Sequence, residues 1–492
     1  MTENPQTDST PEGETARICR ELIRFDTSNY ASGEAKGERA AAEYVAELIH
    51  EVGLEAQYFE SAPGRANVFT RIEGKDPSAD ALLVHGHLDV VPAAAQDWSL
   101  DPFAGEVRDG MIWGRGAVDM KDMDAMMLSV LRHMRRTGTV PQRDIVFGFF
   151  ADEEAGMRYG SKWMVSEHPE VFDGVTDALS EVGGFSTNIG GKRAYLLQTA
   201  EKGLLWLKLI AQGQAGHGSG LHEDNAVTHL SRAMANIGQY TWPVELTKTT
   251  RAFLDEVTEL TGVEFDPENP QRLLRELGDV ARFVGATLQN TSNPTMLDGG
   301  YKTNVIPGTA QGTVDVRFLP DQRDLVMEKL QELAGDKVRF EAEFEDIGLE
   351  VPFSGNVVDT MVNALQAEDP DAVVLPYMLG AGTDNKSLAT LGITGYGFVP
   401  LQLPPELDFT GMFHGVDERV PVASLEFGSR VLDRLLRTYL APRARRPERR
   451  RPRIVLPSPS DLVHAPRDRT RATPTRPAFR PIPPARPPKE PP

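Results

Sequence analysis

The sequence predicts an α/β fold: a mainly parallel sheet flanked by helices, with a separate α+β segment inserted into it. Three observations carry this. The short apolar runs are continuous rather than alternating, which is the pattern of strands buried on both faces, as in parallel sheets. Those runs alternate with segments of 3.6-residue period. Near residue 199 the rhythm changes to a second group of strands and helices, and the first rhythm resumes near 351.

Residues 14–53 predict two helices. Ile18, Leu22 and Ile23 form the apolar stripe of the first, DTSNYASGEAKGE breaks it, and AAAEYVAELIHEVG resumes the period. ANVFTRI (66–72), ALLVHGH (81–87), DIVFGFFA (144–151) and DALS (177–180) read as strands, and 119–136 as a helix. From 199 onward GLLWLKLIAQG, GTAQGTVDVRFL and KVRFEAEFED read as strands, with DNAVTHLSRAMANIG and DLVMEKLQELAG as helices between them. SLEFGSRVLDRLLRTYL is the last helix. The expected division is therefore 1–198 and 351–440 as two parts of one domain, with 199–350 inserted between them. Residues 441–492 are dense in Pro and Arg and lack periodic apolar positions. Such a segment cannot offset its ordering entropy and is expected to be disordered. Its PIPPARPP stretch suits an SH3-type ligand or a polyproline spacer.

A chain of 492 residues exceeds one simple core. Hydrophobic residues at 40% and charged residues at 25% place it among soluble globular proteins. No apolar run approaches the roughly 20 residues needed to span a bilayer, and MTENPQTDSTPEGET has no signal-peptide core. A cytoplasmic location is expected. The single cysteine, Cys19, agrees with this and excludes an internal disulfide or a Cys-based zinc site. The net charge of −20 hides two populations. Residues 441–492 hold 14 Lys and Arg against 4 Asp and Glu, and the rest of the chain holds 38 against 68. So acidic a body repels nucleic acid and anionic membrane, and neither is expected as a partner.

Five short segments concentrate His, Asp and Glu beside glycine or at the end of an apolar run: HGHLDVVP (85–92), GRGAVDMKD (114–122), ADEEAG (151–156), LSEVGG (179–184) and MFHGVDERV (412–420). On a strand, residues two apart share a side, so His85, His87 and Asp89 can align. His87 can bind a metal while Asp89 fixes its tautomer, or the two can simply be a strand-end hydrogen-bonded pair. Asp119 opens a helix, where a carboxylate can bridge two cations or serve as an ordinary N-cap. Glu153 and Glu154 are adjacent carboxylates after IVFGFFA, costly in apolar surroundings unless cations or protons neutralise them; a solvated acidic loop is the plain alternative. Glu181 and His414, flanked by Gly183, Gly184, Gly411 and Gly415, would complete two His/carboxylate sites. Such a donor set without Cys suits zinc, cobalt or manganese. Each residue alone has an ordinary explanation, but the five segments together point to a two-metal hydrolase.

In combination, HGHLDVVP, GRGAVDMKD and ADEEAG resemble metallopeptidase family 20, which includes aminoacylases, carboxypeptidase G, dipeptidases, acetylornithine deacetylase and succinyl-diaminopimelate desuccinylase. The resemblance covers roughly residues 14–440. It implies a zinc-peptidase-type α/β catalytic domain with an inserted lid and dimerisation domain, and two divalent metal ions. His87 and Glu181 would bind one ion, Glu154 and His414 the other, and Asp119 both, with a cis peptide after Asp119. Asp89 would orient His87, and Glu153 would be the general base. In the insert, GQAGHGSGLHEDNAV resembles the lid motif, whose His217 would reach the site of a second subunit and stabilise an oxyanion. Asn304, Arg317 and Thr383 match positions that meet substrate. The chain departs from the family pattern at Gly220 and Leu221, and Glu350 and Val351 stand where some carboxypeptidase-type relatives hold an Arg. The implied activity is hydrolysis of an amide bond in a small substrate, a short peptide or an N-acyl amino acid, by a homodimer. Deacylation of an amino-acid biosynthetic intermediate, a non-catalytic metal-binding protein and an adaptor using the Pro/Arg tail are the other readings.

Overall fold

The computed structural model describes residues 11–30 and 34–439. The expectations for residues 441–492 lie outside the described residues. The centre of the molecule is a sheet whose strands run in the spatial order Ser186–Ile189, Lys192–Glu201, Thr394–Gly397, Val175–Ser180, Ala81–His87, Ile145–Phe150, Arg65–Ile72 and Gln57–Ala62. Val373–Leu379 pairs with Lys192–Glu201 off this path. The middle pairs are parallel: Thr394–Gly397 with Val175–Ser180, that strand with Ala81–His87, and that one with Ile145–Phe150. The edges are antiparallel, so the sheet is mixed, with a parallel centre.

The continuous apolar runs have the expected cause. Along 81–87 and 145–150 every residue is buried, and successive side chains serve opposite faces. Leu82, Val84, Phe147 and Phe149 belong to the largest core, with Ile18, Leu22, Met127, Leu131, Leu432 and Leu436 of helices Pro11–Arg24, Lys121–Arg136 and Val422–Thr438. Leu83, Val146 and Phe150 join a second core with Met164 of Ser161–Glu167 and Leu388 of Asn385–Ala389. Cys19 is buried in the first of these.

A second sheet, fully antiparallel, runs Thr291–Gly299, Thr309–Phe318, Gly203–Gln212, Val338–Asp346. Helices Ala226–Gln239 and Arg323–Ala334 cover one face through Leu230, Ile237, Val326 and Leu330 against Leu205, Leu207, Leu209, Val314 and Val316. Not all of 199–350 joins this layer. Helix Lys248–Thr261 and the helical turns to residue 285 bury Phe253, Val257, Leu277 and Val284 in the first core. An amphipathic period forms a helix but does not say which core it covers.

Lys202 sits where the chain passes from one sheet to the other. Its buried amine donates to the carbonyls of Ala286 and Gln289 at 2.9 and 2.7 Å, and Lys386 donates to the Lys202 carbonyl at 2.6 Å. Burial pulls the Lys202 amine down to about 7, helped by Arg317 and opposed by Asp315.

Candidate metal centre

The parallel centre of the sheet places three strand ends on one edge, where sites in such sheets collect. His87 ends Ala81–His87, Glu153 and Glu154 follow Ile145–Phe150 in a single turn, and Glu181 follows Val175–Ser180. Asp119 comes from the glycine turn before helix Lys121–Arg136, and the Asp119–Met120 peptide is cis, as the family resemblance implies. His414 comes from the loop between Thr394–Gly397 and Arg419–Pro421.

These side chains converge. His87 Nε2 lies 3.2 Å from Asp119 Oδ1 and 3.4 Å from Glu181 Oε2. His414 Nε2 lies 3.1 Å from Glu154 Oε2 and 3.4 Å from Asp119 Oδ2. Asp119 thus has one oxygen toward each histidine. Donor atoms of His87, Asp119 and Glu154, and of His87, Glu153 and Glu181, lie within 4.8 Å of one another in two groups that share His87. Non-glycine residues take left-handed backbone at Asp152, Val182 and His414, each at or beside a converging residue. Such conformations persist where surrounding contacts impose them. The flanking glycines answer to close approach. A β-carbon on Gly183 would strike the Gly397 carbonyl, and Gly184, at φ +78, lies against the backbone of Val399.

The charge balance calls for cations. Asp119, Glu153, Glu154 and Glu181 face two histidines, and the buried Glu154 Oε1 has no hydrogen-bond partner among the described residues. Burial, with the Glu181 carboxylate beside it, pushes Glu153 well above the ordinary range. Burial also raises Glu154, with Asp119 adding to it, and lifts Glu181 to about 8. Bonds from Asp119 and Glu154 raise His414 to about 10. Burial opposes the charged forms of His87 and Asp119, but their partners outweigh it: Glu181 and Asp119 raise His87, and His414 and His87 lower Asp119. A site that must borrow protons to balance its carboxylates fits divalent cations, which remove the same repulsion. Nitrogen and carboxylate donors without sulfur suit zinc, cobalt or manganese.

Behind these side chains stands a buried polar layer. The Asp89 carboxylate accepts the backbone N–H of Glu153 at 3.0 Å and of Glu154 at 3.2 Å, and the amide of Asn29 at 2.8 Å. Asn29 also donates to Asp152 at 2.9 Å, and Arg65 joins Asp152 at 2.8 Å to Glu38 at 2.7 and 2.9 Å. Asn29, Arg65, Glu38, Asp152 and Glu418 were not singled out from the sequence. Only Asp152 and Glu418 carried a signal, their places inside the ADEEAG and MFHGVDERV segments.

The remaining sequence candidates are not members of the two donor groups. His217 is exposed on a short ribbon in which Gly216–His217 pairs with Val305–Ile306, its Nδ1 2.8 Å from Ser219 Oγ. Asn304 adjoins it, accepting the Gly218 N–H on its carbonyl at 2.9 Å. Neither belongs to the two donor groups. Arg317 is engaged by Asp315 at 2.6 and 3.0 Å. Thr383 is buried and donates its hydroxyl to Glu201 at 2.7 Å.

The chain is 28% identical to pig (Sus scrofa) aminoacylase-1 over 414 residues, covering 81% of this chain and 89% of that one. It is also 28% identical to the mouse (Mus musculus) N-fatty-acyl-amino acid synthase/hydrolase, covering 73% of this chain and 74% of that one. Among solved structures it resembles a family M20 metallo-carboxypeptidase of Sulfolobus solfataricus, with a TM-score of 0.67, 17% identity and coverage of 87% and 99%. It also resembles a dinuclear metal-binding M20 peptidase of Bacillus subtilis, with a TM-score of 0.56, 13% identity and coverage of 87% and 97%. Residues 83–438, which run from within the first ligand-bearing strand to the last helix and contain all five His/carboxylate segments, match peptidase family M20/M25/M40, and the chain belongs to that family.

Proposed function

We propose that this chain hydrolyses an amide bond in a small substrate, an N-acyl amino acid or a short peptide, at two divalent metal ions. The observation that carries the reading is the convergence of His87, Asp119, Glu154, Glu181 and His414, with Glu153 beside His87 and Glu181. Similarity to aminoacylase-1 supports the N-acyl amino acid. Zinc is the proposed metal, with cobalt or manganese as alternatives. His87 and Glu181 would hold one ion and Glu154 and His414 the other, with Asp119 available to both. When bound, such ions lower the pKa of water and polarise a carbonyl.

The chain's own residues then divide the work. Glu153 takes a proton from the attacking water on its carboxylate and returns it to the leaving nitrogen, help worth roughly 10²–10⁴-fold. Its high proton affinity in the ion-free site suits a group that must hold that proton in between. Asp89 holds the His87 ring. His217 donates to the oxyanion of a second copy's substrate, worth about 10²–10³-fold. Its exposure and its separation from the donor groups of its own chain support action in trans. The edge strand Thr291–Gly299 exposes Met296 and Leu297, and Leu221 and Tyr301 are exposed near the His217 ribbon, which supports a homodimer through the inserted layer, 199–350. Asn304 beside His217 is the proposed substrate contact of that ribbon, with Arg317 on the same layer. Thr383 acts by holding its loop to Glu201 rather than by touching substrate. Residues 1–198 and 351–440 carry the chemistry. No described helix is long and apolar enough to cross a membrane, in keeping with the proposed cytoplasmic location.

The test is hydrolysis of a panel of N-acyl amino acids and dipeptides by metal-free protein, with and without added zinc or cobalt. Metal-dependent release of an amino acid is expected. No release from any member, with two ions bound, would overturn the reading.

A further inference from the structure

Two buried charges join the loops that carry Asp119 and His414. The Glu418 side chain is fully buried, and its carboxylate accepts four donors. Val118 N–H and Asp119 N–H reach Oε1 at 2.7 and 3.2 Å, and Gly116 N–H and Arg115 Nη1 reach Oε2 at 3.1 and 2.7 Å. Arg115 spends Nη2 on the Gly415 carbonyl at 2.8 Å and lies over the Trp98 ring, 5.0 Å from its centre. The Gly114 N–H closes the junction on the Glu418 carbonyl at 2.9 Å. One carboxylate and one guanidinium therefore bind residues 114–119 to residues 415–418.

The two halves of the centre differ in what holds them. His87 and Glu181 end or follow buried parallel strands whose backbone ladders fix them. His414 has no such ladder: it sits on a loop in left-handed backbone, with its side chain 58% exposed. A buried ion pair adds little stability over well-packed apolar residues. With every acceptor position of Glu418 filled, what this pair specifies is geometry. We infer that Arg115 and Glu418 are positioning residues for the Asp119–Glu154–His414 half of the centre, acting through the backbone of residues 114–119 and 415–418 without touching an ion. The inference rests on the two-ion reading above.

In Glu418→Gln an amide nitrogen must replace one carboxylate oxygen, and it then opposes N–H donors on whichever side it lies. In Arg115→Lys one mobile ammonium replaces the planar fork that places separate nitrogens on Glu418 and Gly415. The experiment titrates metal-free protein with cobalt, reading stoichiometry by calorimetry and ligand geometry by the visible spectrum of the bound ion. The parent is expected to take up two ions. Glu418→Gln is expected to bind the second about 10- to 100-fold more weakly, with that ion's spectrum altered, and to weaken the first, which shares Asp119, by less. Arg115→Lys is expected to move the same step by less, and it carries the test if melting of the ion-free Glu418→Gln protein shows that it does not fold. Two ions bound at parent affinity in both variants would overturn the inference, as would equal weakening of both. A parent that binds one ion would overturn the two-ion reading and the inference with it.

Discussion

His87 and Asp89 meet twice: His87 Nδ1 lies 2.9 Å from the Asp89 carbonyl and 3.5 Å from its carboxylate, which leaves Nε2 to face Asp119 and Glu181. Asp89→Asn keeps the shape but sets an amide nitrogen either against the N–H of Glu153 or against the N–H of Glu154 and the amide of Asn29. Metal affinity is expected to fall about 10- to 100-fold, measured by chelator competition. Unchanged affinity would remove the Asp89 carboxylate from the support of His87 and leave its carbonyl.

Glu153→Ala is expected to lose about 10²–10⁴ of kcat while retaining its metal. Metal content by elemental analysis and kcat on the same sample separate the proton carrier from a ligand. A variant that loses an ion would make Glu153 a ligand.

His217→Ala is expected to lower kcat by about 10²–10³ with metal content and melting temperature at parent values. Refolding it together with Glu153→Ala tests where His217 acts. A mixed dimer holds one site with an intact Glu153 and a His217 from the other copy, so activity returns. Two inactive variants that stay inactive on mixing would place His217 in its own chain's site.

Gly183→Ala puts a methyl group onto the Gly397 carbonyl, where backbone meets backbone and no side chain can yield. A stability loss of about 1–3 kcal/mol is expected from denaturant unfolding, with weaker metal binding because Glu181 lies two residues away. Parent stability would show that the strands can part there at no cost.

Lys202→Met tests the junction between the sheets by pH. The folded amine holds its proton only up to about pH 7, against an ordinary 10.5. Between these values the unfolded chain binds more protons, so Lys202 makes stability rise with pH across that window. Methionine lacks this dependence. The parent is therefore expected to gain stability relative to the variant from about pH 7 to about pH 10, read by urea unfolding at both. A difference that stays constant between these pH values would show that the folded amine is charged throughout.

What was legible in the sequence followed from local pattern. Strands 81–87 and 145–150 declared themselves because burial on both faces leaves no polar position to break the run. The converging residues declared themselves because each lies near a strand end or a glycine turn, within a short segment rich in His and carboxylates. Partners distant in sequence leave no such trace. Asn29 reads as part of a polar break until the fold sets it against Asp89, and Arg65 as an ordinary strand residue until it meets Glu38 and Asp152. Thr383 sits in a motif that suggests a site loop, yet its hydroxyl is taken by Glu201, which a motif does not reveal. Helix Lys248–Thr261 has a clear period, but its destination in the larger core depends on chain crossings that no periodicity encodes.

The position of Thr394–Gly397 between Lys192–Glu201 and Val175–Ser180 has a consequence for biosynthesis. A ribosome delivers both neighbours roughly two hundred residues before the strand that separates them. Throughout that interval the nascent sheet has an open slot beside Val175–Ser180, with unpaired N–H and C=O groups that another chain could fill. His87, Asp119, Glu153, Glu154 and Glu181 have all emerged by then, whereas His414 arrives only after the slot closes. The waiting chain is thus the form most in need of protection from aggregation, and any ion it captures early would lack the last histidine.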